Sequence, residues 1–108
     1  MPFPASYFKA DFFKVLSSPL RIQILDALRD GERSVNDIAQ GLEVEATSVS
    51  QQLAILRRHN LLKTRRQGNY VFYSIRDPAI FTVLDAALVV FNNHLVNVQD
   101  TLKNLEDE

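Results

Sequence analysis

The chain has no cysteine, only three glycines and four prolines, and no acidic residue between positions 46 and 76. Each absence excludes something. Without thiols there are no disulfides, no thiolate nucleophile and no cysteine-ligated metal, which fits a reducing cytoplasm. The opening stretch MPFPASYFKADFFK lacks the basic lead and apolar run of a secretory signal. The most apolar run, FTVLDAALVVF, is broken by Asp85 and is far too short to span a bilayer. No nucleophile–base pair, glycine-rich phosphate loop or metal-ligand motif is present. The carboxylates are scattered, and Glu106-Asp107-Glu108 is a solvated tail. An enzyme is therefore not expected. At 108 residues the chain reads as one domain over residues 1–108, small for burying its own core. A cytoplasmic protein with no membrane partner is the expectation.

What is present is an uneven distribution of charge. The formal net charge is only −1. Residues 46–76 nevertheless carry six of the twelve cations, Arg57, Arg58, Lys63, Arg65, Arg66 and Arg76, and none of the thirteen carboxylates. Attraction to the phosphate backbone is the largest sequence-independent contribution to nucleic-acid binding. A cationic segment within a slightly acidic chain points to a surface built for a polyanion.

The hydrophobic spacing predicts the elements around that segment. Phe8, Phe12 and Val15 recur at helical spacing over residues 7–16. Ser18-Pro19 supplies a cap and a proline at the first helical position of a second helix. Its stripe is Leu20, Ile24, Leu25 and Leu28, and Asp30-Gly31 ends it. Ser34 with Asp37 three residues on marks a capping box for a short third helix carrying Val35, Ile38 and Leu42, with Gly41 near its end. Residues 42–45 form a turn, and a fourth helix runs from about 46 to 59 on Val49, Leu53 and Leu56.

The period then changes to alternation. Residues 63–66 and 70–75 flank Gln67-Gly68-Asn69 and read as a hairpin. Asp77-Pro78 is a cap and proline before one long helix reaching about residue 105. The expected fold is mainly α with a β-hairpin wing, in the order α-α-α-α-β-β-α. A short helix, a tight turn, a polar-fronted helix and a basic hairpin make a winged helix-turn-helix.

The fourth helix has the makings of a recognition helix. Thr47, Ser48, Ser50, Gln51 and Gln52 are small or polar residues toward its N-terminal end, suited to base edges in the major groove. Glutamine can pair bidentate with adenine. Arg57 and Arg58 at its C-terminal end suit phosphates or the helix dipole. Lys63, Arg65, Arg66 and Gln67 place cations along the hairpin and near its tip, for the backbone or a minor groove. His59 is a helix-end residue near phosphate.

These residues resemble the ArsR/SmtB family of bacterial transcriptional repressors. The likeness rests on Leu42, Val49-Ser50, Gln52-Leu53 and Leu56-Arg57. It continues through the wing cations with Gln67-Gly68, then Val71, Tyr73, Ile75 and Asp77. The upstream SSPLRIQILDALRDGERSVNDIA fits the family's opening. The resemblance implies a dimeric repressor that binds double-stranded DNA at an inverted-repeat operator.

Leu84, Leu88, Phe91, Leu95, Val98, Leu102 and Leu105 alternate at spacings of four and three, an a/d seam of about three heptads. With Phe8 and Phe12 of the first helix, this seam is the expected homodimer interface. Val89, Val90 and Val96 lie off it and widen the apolar face. A two-fold dimer would set two recognition helices roughly 34–36 Å apart, one turn of DNA.

The sensors that the family resemblance implies are missing. Ser34 and Asn36 stand where the thiolates of one family metal site would be. Of the other, Asp77 remains, but Ala79, Val90 and Asn93 fall at or near the other ligand positions. His94, among Asn92, Asn93 and Asn97, could meet its mate across a two-fold and hold nickel or zinc, with Asp85 or an N-terminal amine. A second reading gives the signal to an effector protein.

Overall fold

The computed structural model describes residues 4–107. The chain divides into two compact units, one up to Asp77 and one from Pro78 on. The first contains helices α1 (Ala5–Val15), α2 (Pro19–Ala27), α3 (Val35–Leu42) and α4 (Ala46–Arg58), with strands β1 (Arg33–Ser34), β2 (Leu62–Gln67) and β3 (Tyr70–Ile75). The second is α5 (Ala79–Glu106). The winged helix-turn-helix is thus present.

The strand β1 was not expected. It is two residues long, too short for alternation to show, and it pairs antiparallel with β3, Arg33 opposite Tyr73 and Ser34 opposite Phe72. The sheet therefore has three strands in the order β1-β3-β2. The expected hairpin runs from Leu62 opposite Ile75 to Gln67 opposite Tyr70. Gly68 has φ +60°. A positive φ at the first of two central turn residues is where a tight hairpin needs glycine.

The core is a stack of aliphatic side chains from α2, α3, α4 and β2. Ile24, Leu25, Ile38, Val49, Leu53, Leu56 and Leu62 are all at most 1% exposed. Burial of these residues is non-directional, so the ends of the helices are fixed by hydrogen bonds. Ser18 accepts from the Arg21 amide, with Pro19 in the first turn of α2. The capping box of Ser34 and Asp37 is formed in both directions. Helix α2 ends at Ala27, so Asp30-Gly31 lies beyond its cap, Leu28.

Two left-handed residues shape the turns around α4. Glu43 has φ 57° and Asn60 has φ 62°. After α3, the amides of Glu43 and Val44 donate to the Gln40 and Ala39 carbonyls. After α4, those of Asn60 and Leu61 donate to Arg57 and Leu56. Both are Schellman-type closures. Asparagine tolerates this conformation, whereas for glutamate it costs about 1 kcal/mol. Gly41, near the end of α3, is not the left-handed residue.

Helix α5 is 28 residues long, and Pro78, not Asp77, is its N-cap. It contradicts the bilayer estimate made from the short apolar run. The helix continues through Asn92-Asn93-His94, since nothing there breaks it, and is long and apolar enough by length and composition to cross a membrane. Of its residues only Ile80 is buried. From Leu88 to Leu105 the seam is exposed, from 41% at Val98 to 62% at Leu105. In α1, Phe8 is 69% exposed and its ring stacks on Phe12 at 6.0 Å.

Candidate nucleic-acid interface

Helix α4 places the expected base-reading residues unequally. At about 100° per residue, Val49, Leu53 and Leu56 share one side, and all three are fully buried. Thr47, Ser50 and Gln51 are exposed, as are Arg57 and Arg58 at the far end. The front of the helix is therefore uncharged and its C-terminal end cationic. Ser48 and Gln52 are half-buried on its flank. The Gln52 side-chain oxygen accepts from Arg21 Nη1 at 2.8 Å. Arg21 was not among the expected site residues, because nothing local in the sequence ties it to a glutamine 31 positions away.

The wing is organised by a second arginine. Lys63, Arg65 and Gln67 share one face of β2, and Arg66 points to the other. Arg65 lies opposite Phe72 in the strand register, and its guanidinium sits 4.8 Å from that ring centroid. Its Nε donates to both oxygens of Glu32, at 3.2 and 3.1 Å, and its Nη2 donates to Oε1 at 2.6 Å. Nη1 donates to the Gln67 side-chain oxygen at 2.8 Å. Every guanidinium nitrogen of Arg65 is engaged. Lys63 and Arg66 are exposed.

Glu32 is thus the residue that sequence reasoning missed at the wing. Its carboxyl is held below its ordinary range by hydrogen bonding to Arg65, with desolvation opposing and the arginine charge assisting. The same pairing raises Arg65 further. The acid-free segment is acid-free only along the chain: the turn before β1 brings a carboxylate to it. Both partners are exposed, so the contact is weak against competition from a phosphate.

No group of three or more His, Cys, Asp or Glu side chains able to hold a metal occurs among the described residues. His59 and His94 are both exposed.

Comparison with known proteins agrees with this geometry. The description "Bacterial regulatory protein, arsR family" matches residues 18–64, from the cap of α2 into β2. The HTH-type transcriptional regulator Rv0081 of Mycobacterium tuberculosis is 39% identical over 105 residues, covering 96% of this chain and 90% of that protein. Its crystal structure superposes with a TM-score of 0.77 at 38% identity, covering 89% of this chain and 97% of that one. A homodimeric winged helix-turn-helix DNA-binding domain from Mycobacterium bovis, solved by NMR, gives 0.72 at 32% identity, covering 84% and 86%. The transcriptional repressor SdpR of Bacillus subtilis is 35% identical over 68 residues, 63% of this chain and 76% of that protein.

Proposed function

This chain belongs to the arsR family of bacterial regulatory proteins, whose members are DNA-binding transcriptional regulators and not enzymes, and we propose that it is a repressor that binds an inverted-repeat operator as a homodimer. One observation carries this. An uncharged polar helix front, held by a fully buried stripe, is followed in the same segment by a basic wing. Thr47, Ser48, Ser50 and Gln51 meet base edges in the major groove. Arg57, Arg58, Lys63 and Arg66 meet phosphates. Arg65 and Gln67 join them when phosphate displaces Glu32.

In this reading the chain is a single winged-helix domain, residues 1–108, with its terminal helices serving the dimer. The homodimeric M. bovis neighbour supports that assembly. The seam of α5 fits a second copy better than a bilayer. Asp85, Asn92, Asn93, His94 and Asn97 lie along the unbroken helix, and such residues are costly in hydrocarbon. The protein then works in the cytoplasm, where the DNA is.

The test is binding to the promoter region of its own gene against random duplex at moderate salt. A specific Kd of about 10⁻⁸–10⁻¹¹ M, falling steeply as salt rises, is expected. Equal affinity for both duplexes ends the operator reading.

The release signal is a separate matter. A nickel or zinc site at His94 needs the imidazole of a second copy to gain enough ligands. Calorimetry with each metal on wild type and His94→Ala tests it; identical isotherms remove His94. An effector protein is the other source of a signal, and pull-down from the native cell is its test.

A further inference from the structure

The contact between Arg21 and Gln52 does more than fill a gap. Arg21 sits in the first turn of α2 and is half-buried. Its Nε donates to the carbonyl of Val15, the last residue of α1, at 2.6 Å. Its Nη1 donates to Gln52 on α4 at 2.8 Å. One planar guanidinium therefore ties three helices together. Arginine carries donors only, so the glutamine must turn its oxygen inward.

Gln52 lies about 60° round the helix from the buried Val49, whereas Gln51 lies about 160° away on the exposed front. The two glutamines are neighbours in sequence with different surroundings. The buried stripe of α4 fixes which side faces the core, but apolar contact is non-directional and fixes rotation about the helix axis only coarsely. A charge-assisted hydrogen bond is directional. Base-edge contacts require the helix front to be held within about 0.5 Å and 10–20°.

We propose that Arg21 and Gln52 form a strut that sets the rotation of the recognition helix, and that Gln52 acts through this strut and does not read a base. Both are positioning residues. The proposal rests on the operator-binding reading and refines it.

Binding-site selection with the wild-type protein first defines the preferred half-site. Affinities for that duplex and for a scrambled one are then measured for wild type, Arg21→Met, Gln52→Leu, Gln52→Glu and the double variant Arg21→Met/Gln52→Leu. The readout is the ratio of the two affinities, with salt slope and circular dichroism alongside. Arg21→Met and Gln52→Leu should each lower the ratio about tenfold, the loss of one charge-assisted hydrogen bond. Scrambled-duplex affinity and salt slope should stay unchanged, and the double variant should be no worse than either single one. Gln52→Glu should keep the wild-type ratio, because a carboxylate also accepts from Arg21.

If Gln52→Glu falls as far as Gln52→Leu while Arg21→Met keeps the ratio, Gln52 is a base reader and the strut is wrong. Should Arg21→Met unfold, Arg21→Lys replaces it: a partial loss supports the strut, and a full wild-type ratio overturns it. A wild-type protein with no preference for any duplex overturns operator binding itself, and the strut with it.

Discussion

The residues up to Asp77 and helix α5 are both rich in aliphatic side chains, but only one of them hides those side chains. In the first unit, Ile24, Leu25, Val49, Leu53, Leu56 and Leu62 are fully buried. In α5, Leu88, Phe91, Leu95, Val98 and Leu102 stand 41–56% exposed. The same chemistry has opposite outcomes because a winged helix folds back on itself, whereas one long helix cannot cover its own stripe. In the homodimer proposed above, a second copy covers that stripe. On that proposal folding and assembly are carried by different residues, and the separation can be tested.

The largest effect is expected from a charge in the seam. Leu95→Glu should convert the dimer to monomer in sedimentation and lower operator affinity about 100-fold, since linked half-site binding is lost. A dimer that survives Leu95→Glu would show that α5 is not the interface. Next comes the core of the first unit. Leu53→Ala should destabilise the fold by about 2–5 kcal/mol in denaturant titration. Its loss should not depend on protein concentration, whereas the loss in a seam variant such as Leu102→Ala should. If both vary with concentration, folding and assembly are one event.

The third effect belongs to the cationic wing. Arg66→Ala should reduce the slope of log affinity against log salt by about 0.9, one phosphate contact. Glu32→Gln should steepen it by up to the same amount by releasing Arg65. A smaller gain is expected at the turn before α4. Glu43→Gly removes a left-handed glutamate and should stabilise the protein by about 1 kcal/mol in thermal unfolding.

The smallest effect is that of pH on the wing. Pairing with Arg65 lowers the Glu32 carboxyl from its ordinary value of 4.5. The folded state therefore holds this group ionised more readily than the unfolded chain does. The stability it contributes is present above pH 4.5 and is lost as pH falls through the lowered value. Comparing acid unfolding of wild type and Glu32→Gln should show a small extra loss in wild type only. Both groups are exposed, so the pairing is strongly screened by solvent.

The elements were legible wherever a local rule marks them. Pro19 after Ser18, Asp37 after Ser34, and Gly68 in the hairpin turn each announce a boundary within a few residues. The helical stripes did the same for α2 and α4. The front of α4 was legible too, since Thr47, Ser50 and Gln51 are the exposed ones among the polar residues expected there. Strand β1 was missed because two residues cannot show alternation. Glu32 and Arg21 were missed for a stronger reason: their partners lie 33 and 31 positions away. Gln52 looked equivalent to Gln51 until a distant arginine distinguished them.

By itself the sequence determined the order of helices and hairpin, the concentration of cations on one segment and the long apolar repeat of the last helix. All of these follow from near-neighbour spacing, through helical period, strand alternation and capping chemistry. Only the tertiary structure decided which arginine of the acid-free segment is held by a carboxylate, and which glutamine faces outward. It also showed that the first unit buries its stripe while α5 does not. Those outcomes depend on residues far apart in the chain meeting in space, where directional hydrogen bonds select one partner among many.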